Sequence, residues 1–319
     1  MIAMDNINYD VIIPIAENDI PALKRNLPYL YELFSEHEIV VIANENAIDQ
    51  LRAETRLKLV DENKMLPGLK FSRVKELIEK KHSKAGRRTG WYFQQFLKLG
   101  YSRICEKDFY MSWDSDTYIL NKLDFFDENG KPYLDTLPQK KEDQSFYDTI
   151  EVLWGQDIAS QNEKSFITAH MMFIVDIMNN MLQTIEDDSS LSGKTFFEKI
   201  ISAVPVEILN LSGFSEFNTY ALYTINNYPN LYKLREWNNL RHGAVFFGRN
   251  PSKKQMEWAS KSFDVISIED FDTQLFICKY LCSENRVDKV PFIQVYSKIE
   301  PIIKFKYQIR MTIRNIVKK

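Results

Sequence analysis

Cysteine is scarce in this chain, and what there is forms no pair. Cys105, Cys278 and Cys282 stand among 319 residues without a Cys-x-x-Cys spacing, which argues against a disulfide framework or a structural zinc site and fits a reducing compartment. Excess basic charge is missing too. The 41 Lys and Arg are outnumbered by 44 Asp and Glu, for a net charge of −3, so no field advertises nucleic acid as a partner and any nucleotide must be held locally. No run reaches the ~18 unbroken apolar residues of a membrane span, and the first ten residues carry acids without an apolar core, so neither a bilayer crossing nor a secretion signal is expected. Repeats, low-complexity tracts and an obvious linker are also lacking. The chain is long enough for one elaborated domain or two small ones.

What is present reads as alternating strands and helices. Tyr9 to Ile15 is a β-branched run stopped by Pro14, which predicts a buried parallel strand followed by the polar loop Ala16 to Asp19. Pro21 suits a helix start, with Leu23, Leu27, Leu30 and Phe34 at helical spacing, and Glu38 to Asn44 is the next strand. Strand, helix, strand within so few residues is a βαβ unit, whose ligands gather beyond the carboxyl ends of the strands. Leu57 to Glu62 predicts a third strand and Lys70 to Lys84 a charged helix.

Phe109 to Trp113 has the aromatic and bulky residues of another strand, and it runs into Asp114-Ser115-Asp116. Residues i and i+2 of a strand point the same way about 6.5–7 Å apart, so a bend after Asp114 would let both carboxylates face one hard cation. The alternative is that these three residues only cap a turn. Gly86 to Leu99 opens with glycine and threonine and continues as an aromatic helix, with Phe93, Phe96 and Leu97 as core. Arg88, Gln94, Gln95 and Lys98 are its polar groups near the start, suited to an anion or equally to the solvated ends of a buried aromatic helix.

Further along, Asp124 to Gln144 begins as a short strand and ends as a loop, and Ser165 to Phe173 is a strand with His170 where it meets a loop. Ser215 is a candidate N-cap that leaves Glu216 in the first turn, as a general base or as a dipole-favourable acid. Arg241-His242-Gly243 precedes a small apolar strand over Ala244 to Gly248, and Met256 to Tyr280 reads as mostly helical with Cys278 and Cys282 as core thiols. From Lys298 to Lys319, seven cations are opposed only by Glu300 among regularly spaced apolar residues. That pattern suits an anionic membrane surface, or a helix packed on the domain with solvated charges.

Val11 to Pro14, the Gly90-Trp91-x-x-Gln94-Gln95 helix, Trp113 to Asp116, Ser215 to Phe217 and Arg241 to Gly243, in this order, resemble a GT-A-type glycosyltransferase. More narrowly they resemble bacterial glycosyltransferase-like proteins encoded with capsule and O-antigen genes, over roughly residues 7 to 250. The resemblance implies a Rossmann-like α/β fold with a mixed, mostly parallel sheet flanked by helices. It divides the chain into a catalytic domain over 1–250, with a nucleotide-sugar half to about 120 and an acceptor half beyond it, and a C-terminal helical extension over 251–319. It implies Mn²⁺ or Mg²⁺ held by Asp116 and His242, with Asp114 on the donor sugar or joining the metal set. Pro14, Ala16, Glu17, Asn44, Arg88, Gln94, Gln95, Lys98, Asp114 and Ser115 would line the nucleotide sugar, and Trp91 and His170 the acceptor. Glu216 would be the base of an inverting transfer to a saccharide, lipid-linked, on the cytoplasmic face of the plasma membrane with the tail as peripheral anchor. A nucleotidyltransferase is the rival enzyme, but Ile15 to Ile20 lacks its phosphate-loop glycines. A non-catalytic nucleotide- or carbohydrate-binding module is the rival without chemistry.

Overall fold

The computed structural model describes residues 7–139, 144–156, 158, 163–211 and 213–316, without the side chains of 307, 308 and 310–316. Two compact units divide the chain. One comprises Met1–Ser115 with Asp124–Trp237, the other Asp116–Leu123 with Asn238–Lys319. The polypeptide thus leaves the first unit between the two aspartates of Asp114-Ser115-Asp116.

The first unit is built on a five-stranded sheet of β1 (Tyr9–Pro14), β2 (Glu38–Ala43), β3 (Leu57–Asp61), β4 (Phe109–Trp113) and β8 (His170–Ile174), in the order β3-β2-β1-β4-β8. All pairings are parallel except β4 with β8, where Trp113 lies opposite His170. All six residues of β1 and five consecutive residues of β2 are buried, as expected of strands covered on both faces. The order reverses between β1 and β4. Ligands of open α/β sheets bind beyond the carboxyl ends at such a reversal, and there Pro14 and Asp114 stand.

Helices flank this sheet. Ile20–Leu33 starts on a proline and buries Leu23, Leu27 and Leu30, one stripe of a 3.6-residue period. Phe71–Lys81 and Thr89–Gly100 follow, the second burying Phe93, Phe96 and Leu97. Val175–Asp187, Phe196–Ala203 and Glu216–Asn227 add buried Met178, Ile200, Phe217 and Tyr220. A smaller sheet pairs β6 (Tyr133–Pro138) antiparallel with β7 (Lys164–Ser165) and parallel with β9 (Lys233–Glu236). The expected architecture, a mixed and mostly parallel sheet flanked by helices, is the one observed.

The second unit carries a three-stranded sheet of β5 (Thr117–Ile119), β10 (Asn239–Leu240) and β11 (Val265–Ser267), in the order β10-β11-β5. Helices Gly243–Phe247, Lys253–Ser260, Phe276–Leu281 and Phe292–Ile316 complete it. Its core includes Phe246, Trp258 and Phe292, and the Trp258 and Phe292 rings lie 4.9 Å apart. The last helix buries Phe292, Val295, Ile299 and Ile303 but leaves Ile302, Phe305 and Ile309 exposed. Among the described residues no helix is long and apolar enough to cross a membrane.

Four expectations are corrected. Ser165 to Phe173, read as one strand, is broken into β7 and β8, because Ala169 takes a left-handed backbone with φ 67° just before His170. Ala244 to Gly248, read as a strand, belongs to the helix Gly243–Phe247, because small and aromatic residues in so short a run fit either period. Met256 to Tyr280, read as helical, is interrupted by β11. The strand expected to begin near Asp124 forms instead at Tyr133–Pro138, past a turn in which Asp127 Oδ1 accepts hydrogen bonds from the Asn129 and Lys131 amides.

Candidate functional site

In the first unit the site is organised by a buried cation. Lys98 lies in the last turn of Thr89–Gly100 rather than near its start, and its side chain is 5% exposed. Its Nζ is 2.9 Å from Asp114 Oδ1, just past the end of β4, and 2.9 Å from Glu216 Oε1. The ammonium also stands 4.5 Å from the centre of the Phe217 ring. Burial alone would lower the lysine pKa, but the two carboxylates outweigh it and push the pKa up, so Lys98 is a fixed positive charge. Glu216 occupies its place because Ser215 Oγ caps the helix by accepting from the Asn218 amide, while Gln95 Oε1 accepts from the Glu216 amide. Glu216, expected as a general base or as a dipole-favourable acid, thus meets Lys98 through its Oε1.

The other expected site residues of this unit each make contacts of their own. Gln94 Nε2 donates to the Pro14 carbonyl at 2.8 Å, tying the helix to the end of β1. Asn26 Nδ2 donates to the Ser115 carbonyl, and Asn44 Oδ1 caps the helix Glu45–Leu51 by accepting from the Ala47 amide. Asp19 Oδ2 accepts from the Ala16 amide, and Glu17 accepts from Gln50. Arg88 stacks its guanidinium 4.5 Å over Trp91. His170, expected near an acceptor sugar, is buried, with Nε2 on Asp135 Oδ2 at 2.9 Å and its ring 4.3 Å from that of Trp237. Burial would raise the Asp135 carboxyl, but Arg235 and His170 hold it below the usual carboxylate range. Arg235 and Asp135 thus form a buried ion pair to which His170 is hydrogen-bonded.

A cavity of about 440 Å³ opens beyond the ends of β2 and β3, lined by Asn44, Glu45, Asn46, Glu62, Asn63 and Phe71. Burial, then the neighbouring Asp61, pushes the Glu62 carboxyl up to about 7. A larger cavity of about 650 Å³ is lined by Leu153, Trp154, Thr184, Asp187, Tyr223 and Asn227, residues of helices rather than strand ends, and no Lys, Arg, His or Cys lines it among the described residues.

The second unit gathers its acids at one edge of its sheet. β5 runs antiparallel to β11 and β10 runs parallel to it, with Thr117 opposite Ser267 and Leu240 opposite Ile266. The start of β5 and the ends of β10 and β11 therefore share that edge, which carries Asp116, His242 and Glu269. The Asp116 carbonyl accepts from the Ile268 amide at 2.9 Å. His242 Nδ1 is 2.8 Å from Asp272 Oδ2 and 2.9 Å from Glu269 Oε2. Burial disfavours the imidazolium, yet these carboxylates outweigh it and raise the His242 pKa.

His242 also adopts a left-handed backbone, with φ 62° and ψ 36°, which costs a non-glycine residue of order 1–3 kcal/mol. A β-carbon on Gly243 would press against Ile266 and Ile268, so only glycine lets the helix start lie this close to β11. His242, Glu269 and Asp272 are the one group of three ligand-type side chains within 4.8 Å of one another among the described residues. Sequence reasoning missed Glu269 and Asp272. The signal was present: Val265-Ile266-Ser267 runs into Glu269, Asp270 and Asp272 much as the β4 run ends in acids, but the segment was absorbed into a helix.

A family model described as a family of unknown function (DUF6492) matches residues 29–245, more than half of the chain. No curated protein matches. Among solved structures, the apo form of the glycosyltransferase GlyE of Streptococcus pneumoniae TIGR4 is 12% identical with a TM-score of 0.40, the match covering 92% of this chain and 64% of that one. The galactosyltransferase LgtC in complex with donor and acceptor sugar analogues is 10% identical with a TM-score of 0.40, covering 88% and 97%. The S. cerevisiae mannosyltransferase Ktr4p in complex with GDP is 12% identical with a TM-score of 0.39, covering 67% and 68%. Likenesses this faint assign neither an activity nor a ligand to this chain.

Proposed function

The chain belongs to the DUF6492 family, and from that premise and its sites we propose a metal-dependent glycosyltransferase of GT-A type that takes a nucleotide-diphosphate sugar as donor and a saccharide as acceptor. One observation carries the reading. Asp114-Ser115-Asp116 leaves β4 at the reversal of the parallel sheet, and its second acid enters the same sheet edge as His242.

On this reading the donor set is that of a divalent ion, although Asp116 does not belong to the group of ligand-type side chains gathered around His242 among the described residues. Asp116 and His242 offer oxygen and nitrogen, which suits Mn²⁺ as well as Mg²⁺. A bound ion would neutralise the diphosphate, whose charge grows as its bond to the sugar breaks. The chain's own residues do the rest. Lys98 fixes the Asp114 carboxylate, so that Asp114 can accept hydrogen bonds from sugar or ribose hydroxyls without reorganising. The cavity beside Asn44 and Glu62, at the carboxyl ends of β2 and β3, suits the nucleoside. Glu216 keeps its Oε1 on Lys98, and an inverting transfer needs this same carboxylate to take the acceptor hydroxyl proton.

For the partner surface we read the last helix as a peripheral anchor to a lipid-linked acceptor's membrane. It leaves Ile302, Phe305 and Ile309 exposed in a segment rich in Lys and Arg. The test of the activity is metal-dependent release of nucleotide from a panel of UDP- and GDP-sugars. Wild type should turn over at least one donor with Mn²⁺, and Asp116→Ala should abolish turnover with its circular dichroism unchanged. Full activity in that variant removes the proposal.

A further inference from the structure

We propose that the cavity of about 650 Å³, where three helices of the first unit end, is a binding site for a neutral saccharide, separate from the strand-end site at Asp114. The inference goes beyond the proposed transfer and does not depend on it. The helices are Gln144–Trp154, Val175–Asp187 and Glu216–Asn227, and the last residue of each lines the cavity. Glu216, which meets Lys98, opens the third of them and Asn227 closes it. At about 1.5 Å per residue the cavity lies roughly 16 Å further along that helix.

Charge excludes an anion. Asp187 and Asp188 line the cavity, and no Lys, Arg or His does among the described residues. The three helix ends add their negative poles and their carbonyl acceptors, so a phosphate or a nucleotide would be repelled. The rest of the wall matches a ligand with hydroxyls on its rim and C–H groups on its face. The Trp154 and Tyr223 rings stand 5.0 Å apart at 45°, offering flat apolar faces on which the carbon-bound hydrogens of a pyranose can lie. Thr184, Asn226 and Asn227 supply groups that both donate and accept hydrogen bonds, as sugar hydroxyls do. Tyr223 fixes two of these: Thr184 Oγ1 lies 3.3 Å from the Tyr223 hydroxyl, and Asn227 Nδ2 donates to the Tyr223 carbonyl. Rings and polar groups are thus held in place before a ligand arrives. The Trp154 indole Nε1 is buried without an acceptor among the described residues. Such an orphan donor is costly, and a slight turn of this half-buried ring toward a ligand oxygen would satisfy it. An ammonium ligand would meet the acids but leave that N–H unanswered.

The test is titration of the full chain with maltotriose, cellotriose, mannotriose and triacetylchitotriose, followed by calorimetry and by saturation-transfer NMR with no donor present. Wild type should bind at least one of them saturably, and neither inorganic phosphate nor spermidine should displace it. Trp154→Ala and the double variant Asp187→Ala/Asn226→Ala should each weaken that binding at least ~10-fold. The double variant changes only exposed residues, so it decides the matter should Trp154→Ala fail to fold. Asp116→Ala should bind the trisaccharide as wild type does. Absence of binding to any of these sugars, wild-type affinity in either cavity variant, displacement by spermidine, or loss of binding in Asp116→Ala would overturn the proposal. Trisaccharide binding at the cavity without turnover of any nucleotide sugar would instead remove the transfer reading and leave this site standing.

Discussion

Lys98→Met removes a buried cation and keeps most of its volume. In the native protein the ammonium is shared between Asp114 and Glu216, whose side chains are 34% and 7% exposed. After substitution Asp114 can recover water, but Glu216 stays buried as an unpaired anion beside a methionine. Breaking a buried pair by deleting one partner costs about 3–5 kcal/mol. With a urea slope near 3 kcal/mol/M, the upper end for small domains, that lowers the unfolding midpoint by about 1–2 M. The diagnostic step is the double variant Lys98→Met/Glu216→Gln, which removes the stranded charge. It should be more stable than Lys98→Met alone by about 1–3 kcal/mol, the desolvation cost of a buried polar group left unsatisfied. Urea titrations followed by tryptophan fluorescence and by circular dichroism read both numbers. A midpoint for Lys98→Met within 0.2 M of wild type, or a double variant no better than the single one (differences far below those ~3 kcal/mol), would refute the account of Lys98 as the charge that holds this site together.

Three further outcomes follow from individual contacts. The Glu62 carboxyl is raised from 4.5 to about 7, so the folded state binds its proton more tightly and that contribution to stability, complete below pH 4.5, is lost as pH rises through 7. Glu62→Gln should flatten this decline, by ~1–2 kcal/mol after solvent screening, in urea titrations repeated from pH 4 to 8, and an unchanged slope contradicts the assignment. Gly243→Val should destabilise by about 1–3 kcal/mol through overpacking against Ile266 and Ile268, read from its thermal midpoint, and a wild-type midpoint would mean that the approach is not tight. Removal of Lys298 to Lys319 should abolish sedimentation with anionic liposomes while neutral liposomes bind neither form, and equal sedimentation of both forms ends the membrane reading.

Most of the main sheet was legible in the sequence, because buried parallel strands are written as compact β-branched runs. Tyr9–Pro14, Glu38–Ala43, Leu57–Asp61 and Phe109–Trp113 all appear where the apolar runs lie. The Ser215 cap was legible for a similar reason, since capping is a local exchange between a side chain and an amide three residues on. Short elements were not. β11 has three residues and the helix after His242 has five, too few for either period to show.

What the sequence determined by itself was local: which runs are strands, which stripes are core, and that two acids stand at a strand end. Which charges meet was decided only by the tertiary structure. Lys98 and Glu216 are 118 positions apart, and His242 and Asp272 are 30. Hydropathy and spacing carry no record of such pairings. They arise because folding brings separate strand ends to one edge, where a buried charge must find its counter-charge wherever the chain supplies one.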